Sequence, residues 1–99
     1  MKLDDKLANW EGKPIKNHVR VLFCTLPDIL WPNSGWQRVA MHEVMEPDQI
    51  RKVHRKYIVS LHPDKVLASG DPDKIYISNR IFTAITEAYN LFKKEHGIK

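Results

Sequence analysis

Apolar residues recur at the spacing of an α-helix along most of this chain, and the clearest case is the segment 48–61. Plotted at about 100° per residue, its apolar side chains fall within an arc of about 80°. The arc holds Ile50, Val53, Tyr57 and Leu61. The opposite side, which we call the cationic face, holds Arg51, Lys52, Arg55 and Lys56, with Val59 among them. The pattern predicts a helix with one side in the core and a positively charged side in solvent.

The segment 73–95 predicts a long helix, and both of its ends are marked in the sequence. Asp71 suits the N-cap, and Pro72 suits the first helical position. Gly97 suits the end of the helix. The apolar stripe of this segment is wider than contact with one helix requires. It consists of Ile77, Ile81, Ala84, Ile85, Ala88, Leu91 and Phe92, widened by Phe82 and Tyr89. We therefore expect the helix to contact two neighbours, at 48–61 and 17–26.

Two further helices are predicted in the N-terminal half, at 3–10 and 17–26. Asn17 is a suitable N-cap for the second of them, and Pro27 ends it. Its apolar residues are spaced i, i+3, i+4, i+7 and so lie on one face. They are Val19, Leu22, Phe23 and Leu26.

Convincing period-2 alternation, the pattern of a half-buried strand, is absent from the sequence. The pattern therefore predicts one small all-α domain over residues 1–99, in which the helices 48–61 and 73–95 pack antiparallel across a loop at 62–72. Pro47 suits the first position of the earlier helix, although Glu46 before it is a poorer cap than Ser, Thr or Asp.

Composition narrows the class of protein. The chain has 99 residues, of which 42% are hydrophobic and 28% charged, as expected of a globular domain. No apolar run approaches the roughly 20 residues that span a bilayer, and we expect no membrane insertion. The single cysteine, Cys24, has no internal disulfide partner, which favours a reducing compartment. The net charge of +4 invites a nucleic-acid hypothesis only if that charge is concentrated on one face.

The stretch "SLHPDKV", residues 60–66, follows directly on the cationic face. A catalytic role is disfavoured because no nucleophile motif accompanies His62 and Asp64. We expect no metal or cofactor, since the five histidines form no HxxxH and Cys24 has no CxxC partner. Termination of the helix explains Pro63, which disfavours helical geometry at His62. It does not explain why Asp64 follows, nor why four cations precede the tripeptide.

The surrounding sequence resembles the J-domain (DnaJ) family over residues 46 to 93. The resemblance rests on "QIRKVHRKYIVSLHPDK", a polar loop, and then "RIFTAITEAYNLF". Members of that family are not enzymes. The resemblance implies that the domain docks on the ATPase domain and linker of a DnaK-type chaperone (heat-shock protein 70) and stimulates its ATP hydrolysis. The implied docking residues are His62, Pro63, Asp64 and Lys65, the four cations and Val59 of the cationic face, and His54.

The N-terminal half resembles the auxilin type of J domain, found in clathrin-uncoating co-chaperones. The matching stretch is "WEGKPIKNHVRVLFCTLPDILWPNSGWQRVAMHEVMEP". It implies an extension over 1–45 joined to a J-domain hairpin over 46–95. We interpret Trp10, Trp31 and Trp36 as packing residues, with a contact surface as the alternative. Motifs such as LLDLD, NPF and DPF do not occur, so clathrin recruitment is expected mostly from regions outside this chain. The resemblance also implies a cytoplasmic monomer.

Two residues depart from the family pattern: His54 stands where a tyrosine is usual, and Thr86 where an asparagine is frequent. Three alternatives remain. The domain serves a chaperone task without clathrin, binds clathrin directly as a scaffold, or binds nucleic acid through its cationic helix. The last is disfavoured because no aromatic base-stacking platform accompanies the dense patch between Arg51 and Lys56.

Overall fold

The computed structural model describes residues 3–12, 18–31 and 34–97, with the backbone alone at positions 3 and 4. Within these ranges the chain is helical and contains no strand, as the periodicity predicts. Five α-helices follow one another: α1 Leu3–Glu11, α2 Val19–Thr25, α3 Pro47–Leu61, α4 Pro63–Leu67 and α5 Pro72–Glu95. Two short 3₁₀ turns, Leu26–Asp28 and Met41–Val44, lie between α2 and α3. None of the described helices is both long and apolar enough to cross a membrane.

The two long helices, α3 and α5, run antiparallel as predicted. His54 on α3 stacks against Tyr89 on α5, whereas seven residues later the carbonyl of Leu61 accepts a hydrogen bond from Ser78. The residue numbers of the contacts on α5 therefore decrease as those on α3 increase, which is the antiparallel arrangement. α2 also packs against α5, which confirms both expected neighbours, and α1 and α4 pack there too.

The ends of α5 form as their residues predict. The Oδ1 atom of Asp71 accepts hydrogen bonds from the amides of Asp73 and Lys74, at 3.0 and 3.3 Å. Pro72 occupies the first helical position. Gly97 follows the helix with φ of +64°, a conformation that glycine adopts without steric cost. The cap of α3 is better than Glu46 alone suggests, because the side chain of Gln49 accepts from the Glu46 amide at 2.9 Å.

The helix predicted at 17–26 begins later in the structure. Asn17 lies outside the described residues, and the N-cap is His18, whose Nδ1 accepts from the amide of Arg20 at 3.1 Å. The helix ends at Thr25, and Pro27 lies inside the 3₁₀ turn that continues it. Arg20 then ties this helix to the start of α3, because its guanidinium donates to the carbonyls of Val44 and Met45, at 2.7 and 3.0 Å.

One buried cluster joins the N-terminal half to α3 and α5. Phe23 of α2 lies at its centre, with ring centroids of Trp36 and Tyr57 6.5 and 6.3 Å away. Trp10 and Trp36 are buried and Trp31 is half-buried against the cluster, in agreement with their interpretation as packing residues.

Two further predictions about this fold were wrong in detail. Leu91 was placed in the apolar stripe of α5 but is 56% exposed. The described neighbours leave this position uncovered, since α1 packs near Arg80 and Ala84 and the ring of His18 lies by Phe92. The loop predicted at 62–72 also contains a helix, α4, and its Val66 is buried.

Candidate functional site

The junction between α3 and α4 is a sharp change of direction at His62. This residue has φ −56° and ψ 139°, outside helical geometry, as expected before a proline. It ends α3 and at the same time caps α4, because its Nδ1 accepts from the amide of Asp64 at 3.1 Å. Pro63 occupies the first position of α4, where a missing amide hydrogen costs nothing. The tripeptide therefore both stops one helix and starts the next.

The imidazole of His62 is held on one side by α5. Its ring centroid lies 5.2 Å from that of Phe82, with the rings inclined at 63°. Because Nδ1 accepts a hydrogen bond from a backbone amide, the proton of the neutral ring is on Nε2. Oδ2 of Asp64 lies 3.8 Å from the same Nδ1. The side chain keeps 34% of its surface exposed.

Asp64 and Lys65 face solvent at the start of α4. The side chain of Asp64 is 89% exposed, so its carboxylate is accessible to a cationic group of another molecule. Its backbone, by contrast, is fixed: the Asp64 amide is bonded to His62, and the Lys65 amide donates to the His62 carbonyl at 2.9 Å. The exposed carboxylate of Asp64 is thus carried by a turn whose backbone is hydrogen-bonded.

The cationic face forms as predicted, because all four of its charged residues are exposed and Val59 among them is 58% exposed. Arg51 lies 3.7 Å from Asp48, an exposed pair that contributes little stability. The Lys56 ammonium lies 5.9 Å from the ring centroid of Trp36. A groove of about 320 Å³ runs beside this face, lined by Glu43, Gln49, Lys52, Val53 and Lys56. The result is a cationic surface that leads along α3 toward the α3–α4 junction.

His54 lies apart from this exposed face, in the contact between α3 and α5. Its ring stacks on Tyr89 with centroids 3.8 Å apart and planes inclined by 4°, and Phe23 meets it edge-on at 6.5 Å. Burial, and secondly the ammonium of Lys93, lower the pKa of His54 below its ordinary value. The position suits packing first, and its contact with a chaperone stays a prediction.

Metal ligation and thiol chemistry have little support among the described residues. They contain no group of three or more His, Cys, Asp or Glu side chains placed to hold a metal ion. Cys24 is half-buried, and burial raises the pKa of its thiol, which disfavours the nucleophilic thiolate. At the junction, the exposed carboxylate of Asp64 on its hydrogen-bonded turn is suited to contact with a cationic group of another molecule.

Sequence reasoning missed two residues that support the junction from α5. The periodicity assigns Phe82 only to the widened apolar stripe, and it gives Ser78 no role. The available signal was their spacing: the two positions are one helical turn apart, on the side of α5 that meets the end of α3.

Comparison with known proteins gives the family. No family model matches the chain. Auxilin-related protein 1 of Arabidopsis thaliana is 35% identical over 94 residues, covering 94% of this chain and 10% of that protein. A J domain-containing protein of the same plant, required for chloroplast accumulation response, is 32% identical over 91 residues, covering 91% of this chain and 14% of that protein. The auxilin-like clathrin uncoating factor of Saccharomyces cerevisiae is 28% identical over 99 residues, covering 98% of this chain and 14% of that protein.

These relatives are much longer than the chain, which spans between 10% and 14% of their lengths. The matched region in each case takes in more than 90% of the present sequence, a share that must include α3 and the tripeptide after it. The chain therefore belongs to the J-domain family, in which it is an auxilin-type domain.

Proposed function

We propose that this domain docks on a DnaK-type chaperone and stimulates its ATP hydrolysis, with no catalytic activity of its own. One observation carries the proposal: the exposed carboxylate of Asp64 is anchored beside His62 where the cationic face ends. Membership of the J-domain family supports the same partner. The site residues are those implied by the sequence, with the contribution of His54 indirect, through the packing of α3 on α5.

The cationic face is suited to steering. Four exposed cations on one side of α3 attract an acidic partner surface and orient the encounter, which raises the association rate more than the final affinity. Val59 adds an exposed apolar group in the middle of this face. An apolar contact among charges helps to fix the register of docking. It contributes favourable binding free energy only where the partner presents a complementary apolar surface.

The junction is suited to a specific contact. A carboxylate that pairs with a partner arginine forms a charge-assisted, geometrically specific hydrogen bond. Pro63 and the three backbone amides that donate to His62 hold the motif before binding, so less conformational entropy is lost on docking. Stimulation then follows if the domain binds the hydrolysis-competent conformation of the chaperone more tightly than the others.

The cellular task that we propose is the uncoating of clathrin-coated vesicles in the cytoplasm. The auxilin-type similarity over nearly the whole chain supports it. Clathrin recruitment is assigned mostly to regions outside this chain. A chaperone task without clathrin is the second candidate, because a relative of comparable identity and coverage is named for the chloroplast accumulation response.

The decisive test is a pair of aspartate variants. Asp64→Asn keeps the shape of the side chain and removes its charge. Losing a charge-assisted bond of ~1.5–3 kcal/mol predicts a tenfold to hundredfold loss of productive docking. Asp73→Asn is the matched control, since Asp73 is also exposed and also follows a proline in the first turn of a helix. The readout is stimulated ATP hydrolysis by a purified DnaK-type chaperone, with the thermal midpoint of each variant measured alongside.

We expect Asp64→Asn to reduce stimulation tenfold to hundredfold and Asp73→Asn to retain it, both with nearly normal thermal midpoints. His62→Gln should also lose stimulation, with a lower midpoint because it removes the cap of α4 and the contact with Phe82. Full stimulation by a folded Asp64→Asn variant would contradict the proposal. If the tripeptide only ends α3, Pro63→Ala is the damaging change instead. Parallel titrations with an oligonucleotide and with clathrin cages test the two binding alternatives, nucleic acid and clathrin. The domain alone should hydrolyse no ATP.

A further inference from the structure

The last carbonyl group of α3, that of Leu61, needs a hydrogen-bond donor from outside its own helix. In an uninterrupted α-helix the amide of Lys65 would donate to it. That amide donates instead to the carbonyl of His62, because the chain has turned into α4. Leu61 is 3% exposed, so solvent is a poor substitute. Ser78 supplies the donor: its hydroxyl Oγ lies 3.3 Å from the Leu61 oxygen.

Ser78 is itself an unusual residue for its place. It is 3% exposed and lies in a stripe of α5 that is otherwise apolar. A buried hydroxyl is unfavourable unless it is hydrogen-bonded, and the Leu61 carbonyl is the partner that satisfies it. One turn later along α5, Phe82 contacts the ring of His62. The same side of α5 thus holds the end of α3 at two successive residues, Leu61 by its carbonyl and His62 by its ring.

We propose that Ser78 is a positioning residue for the docking motif His62-Pro63-Asp64. By bonding the Leu61 carbonyl, its hydroxyl sets the direction in which the chain leaves α3. That direction determines where the imidazole of His62 and the carboxylate of Asp64 lie. The inference rests on the proposed docking function, because the orientation of the motif affects activity only if the motif binds the chaperone.

Ser78→Ala removes the hydroxyl and leaves the Leu61 carbonyl without its donor. The matched control is Ile85→Val, which shortens a fully buried side chain of the same helix away from the junction. Both variants lose some stability, but only the first alters the junction. The chaperone concentration for half-maximal stimulation should rise about three- to tenfold for Ser78→Ala, since the bound orientation becomes less populated. Maximal stimulation is retained. For Ile85→Val both quantities stay at the wild-type values.

A second readout needs no chaperone. Hydrogen exchange of the Asp64, Lys65 and Val66 amides, all of which donate to His62, should accelerate in Ser78→Ala and not in Ile85→Val. Should Ser78→Ala fail to fold, Ser78→Cys keeps the size and a weak donor, and should show the same changes to a lesser degree. The positioning role is overturned if Ser78→Ala and Ile85→Val change two quantities to the same extent. These are the exchange rates of the three junction amides and the chaperone concentration for half-maximal stimulation. Failure of the wild-type domain to stimulate any chaperone would instead remove the docking function, and the exchange result would still decide the role of Ser78.

Discussion

His54 is the aromatic contact between α3 and α5, and its burial should make the folded domain less stable in mild acid. Its ring is stacked at 3.8 Å on Tyr89 of α5, and Phe23 of α2 meets its edge. The ammonium of Lys93 lies over the ring of Tyr89, 5.3 Å from its centroid. A proton added to His54 would place a charge in a partly dry site beside a second positive charge. Burial, and after it Lys93, therefore lower the pKa of His54 in the folded domain.

The direction of the effect follows from proton binding in the two states. An unfolded chain titrates this histidine near its ordinary pKa of about 6.5. As the pH falls below that value the unfolded chain binds the proton first, so the free energy of unfolding decreases until the pH passes the lower, folded pKa. One histidine contributes at most about 1.4 kcal/mol per pH unit in this window. His18, whose pKa is lowered by burial and secondly by Arg20, contributes with the same sign.

The variant that isolates this effect is His54→Phe. It keeps an aromatic stack, worth ~0.5–1.5 kcal/mol, and carries no titratable group. Urea unfolding at about pH 7.5 and about pH 5.5 gives the free energy of unfolding on either side of the ordinary histidine pKa. The variant should gain stability relative to wild type as the pH falls. His42→Gln is the control, because the side chain of His42 is 82% exposed. If the difference in unfolding free energy between His54→Phe and the wild type is the same at both pH values, the reasoning is refuted.

Two further predictions test charge and capping. Replacing the four charged residues of the cationic face by Ala should weaken chaperone stimulation and flatten its dependence on salt, because such steering is screened over ~8 Å at physiological ionic strength. The fold should survive, since all four side chains are exposed; an unchanged salt response would mean that the face is merely solvated. Asp71→Ala should cost ~0.5–2 kcal/mol of unfolding free energy, seen as a lower urea midpoint, because Asp71 caps two amides of α5. Asp73→Ala, which removes no such cap, should leave the midpoint nearly unchanged.

The long helices were predictable because their signals are local and repeated. Four apolar residues of α3 lie in one arc, and all four are buried. At α5, Asp71, Pro72 and Gly97 each mark an end by its own backbone chemistry. Such features act within a few residues, so they can be interpreted without knowing what the helix contacts. The exposure of Leu91 shows the limit: its position in the stripe is local, but its burial depends on where the neighbouring helices end.

The helix α4 was missed for a different reason. With five residues it is too short for a hydrophobic period, and its N-cap is His62, a residue already assigned to the end of α3. Its stability comes from tertiary packing, through buried Val66 and contact with α5. The cap itself depends on which ring nitrogen of His62 accepts, and the sequence carries no sign of that. The tripeptide could thus be proposed as a docking site from sequence, whereas its geometry could not be predicted.

The N-terminal half supports the proposed docking surface by packing against α3. The apolar side of α3 meets Phe23 through His54 and Tyr57, so residues of α2 cover the helix that carries the cationic face. Arg20 holds the chain just before α3 begins, and Trp36 lies beneath Lys56. The two halves also share one buried cluster. An isolated hairpin over 46–95 would expose this side of α3 to water, and with it lose the apolar burial that aligns α3 with α5. The orientation of the cationic face and of Asp64 at its end therefore depends on residues that carry no docking chemistry themselves.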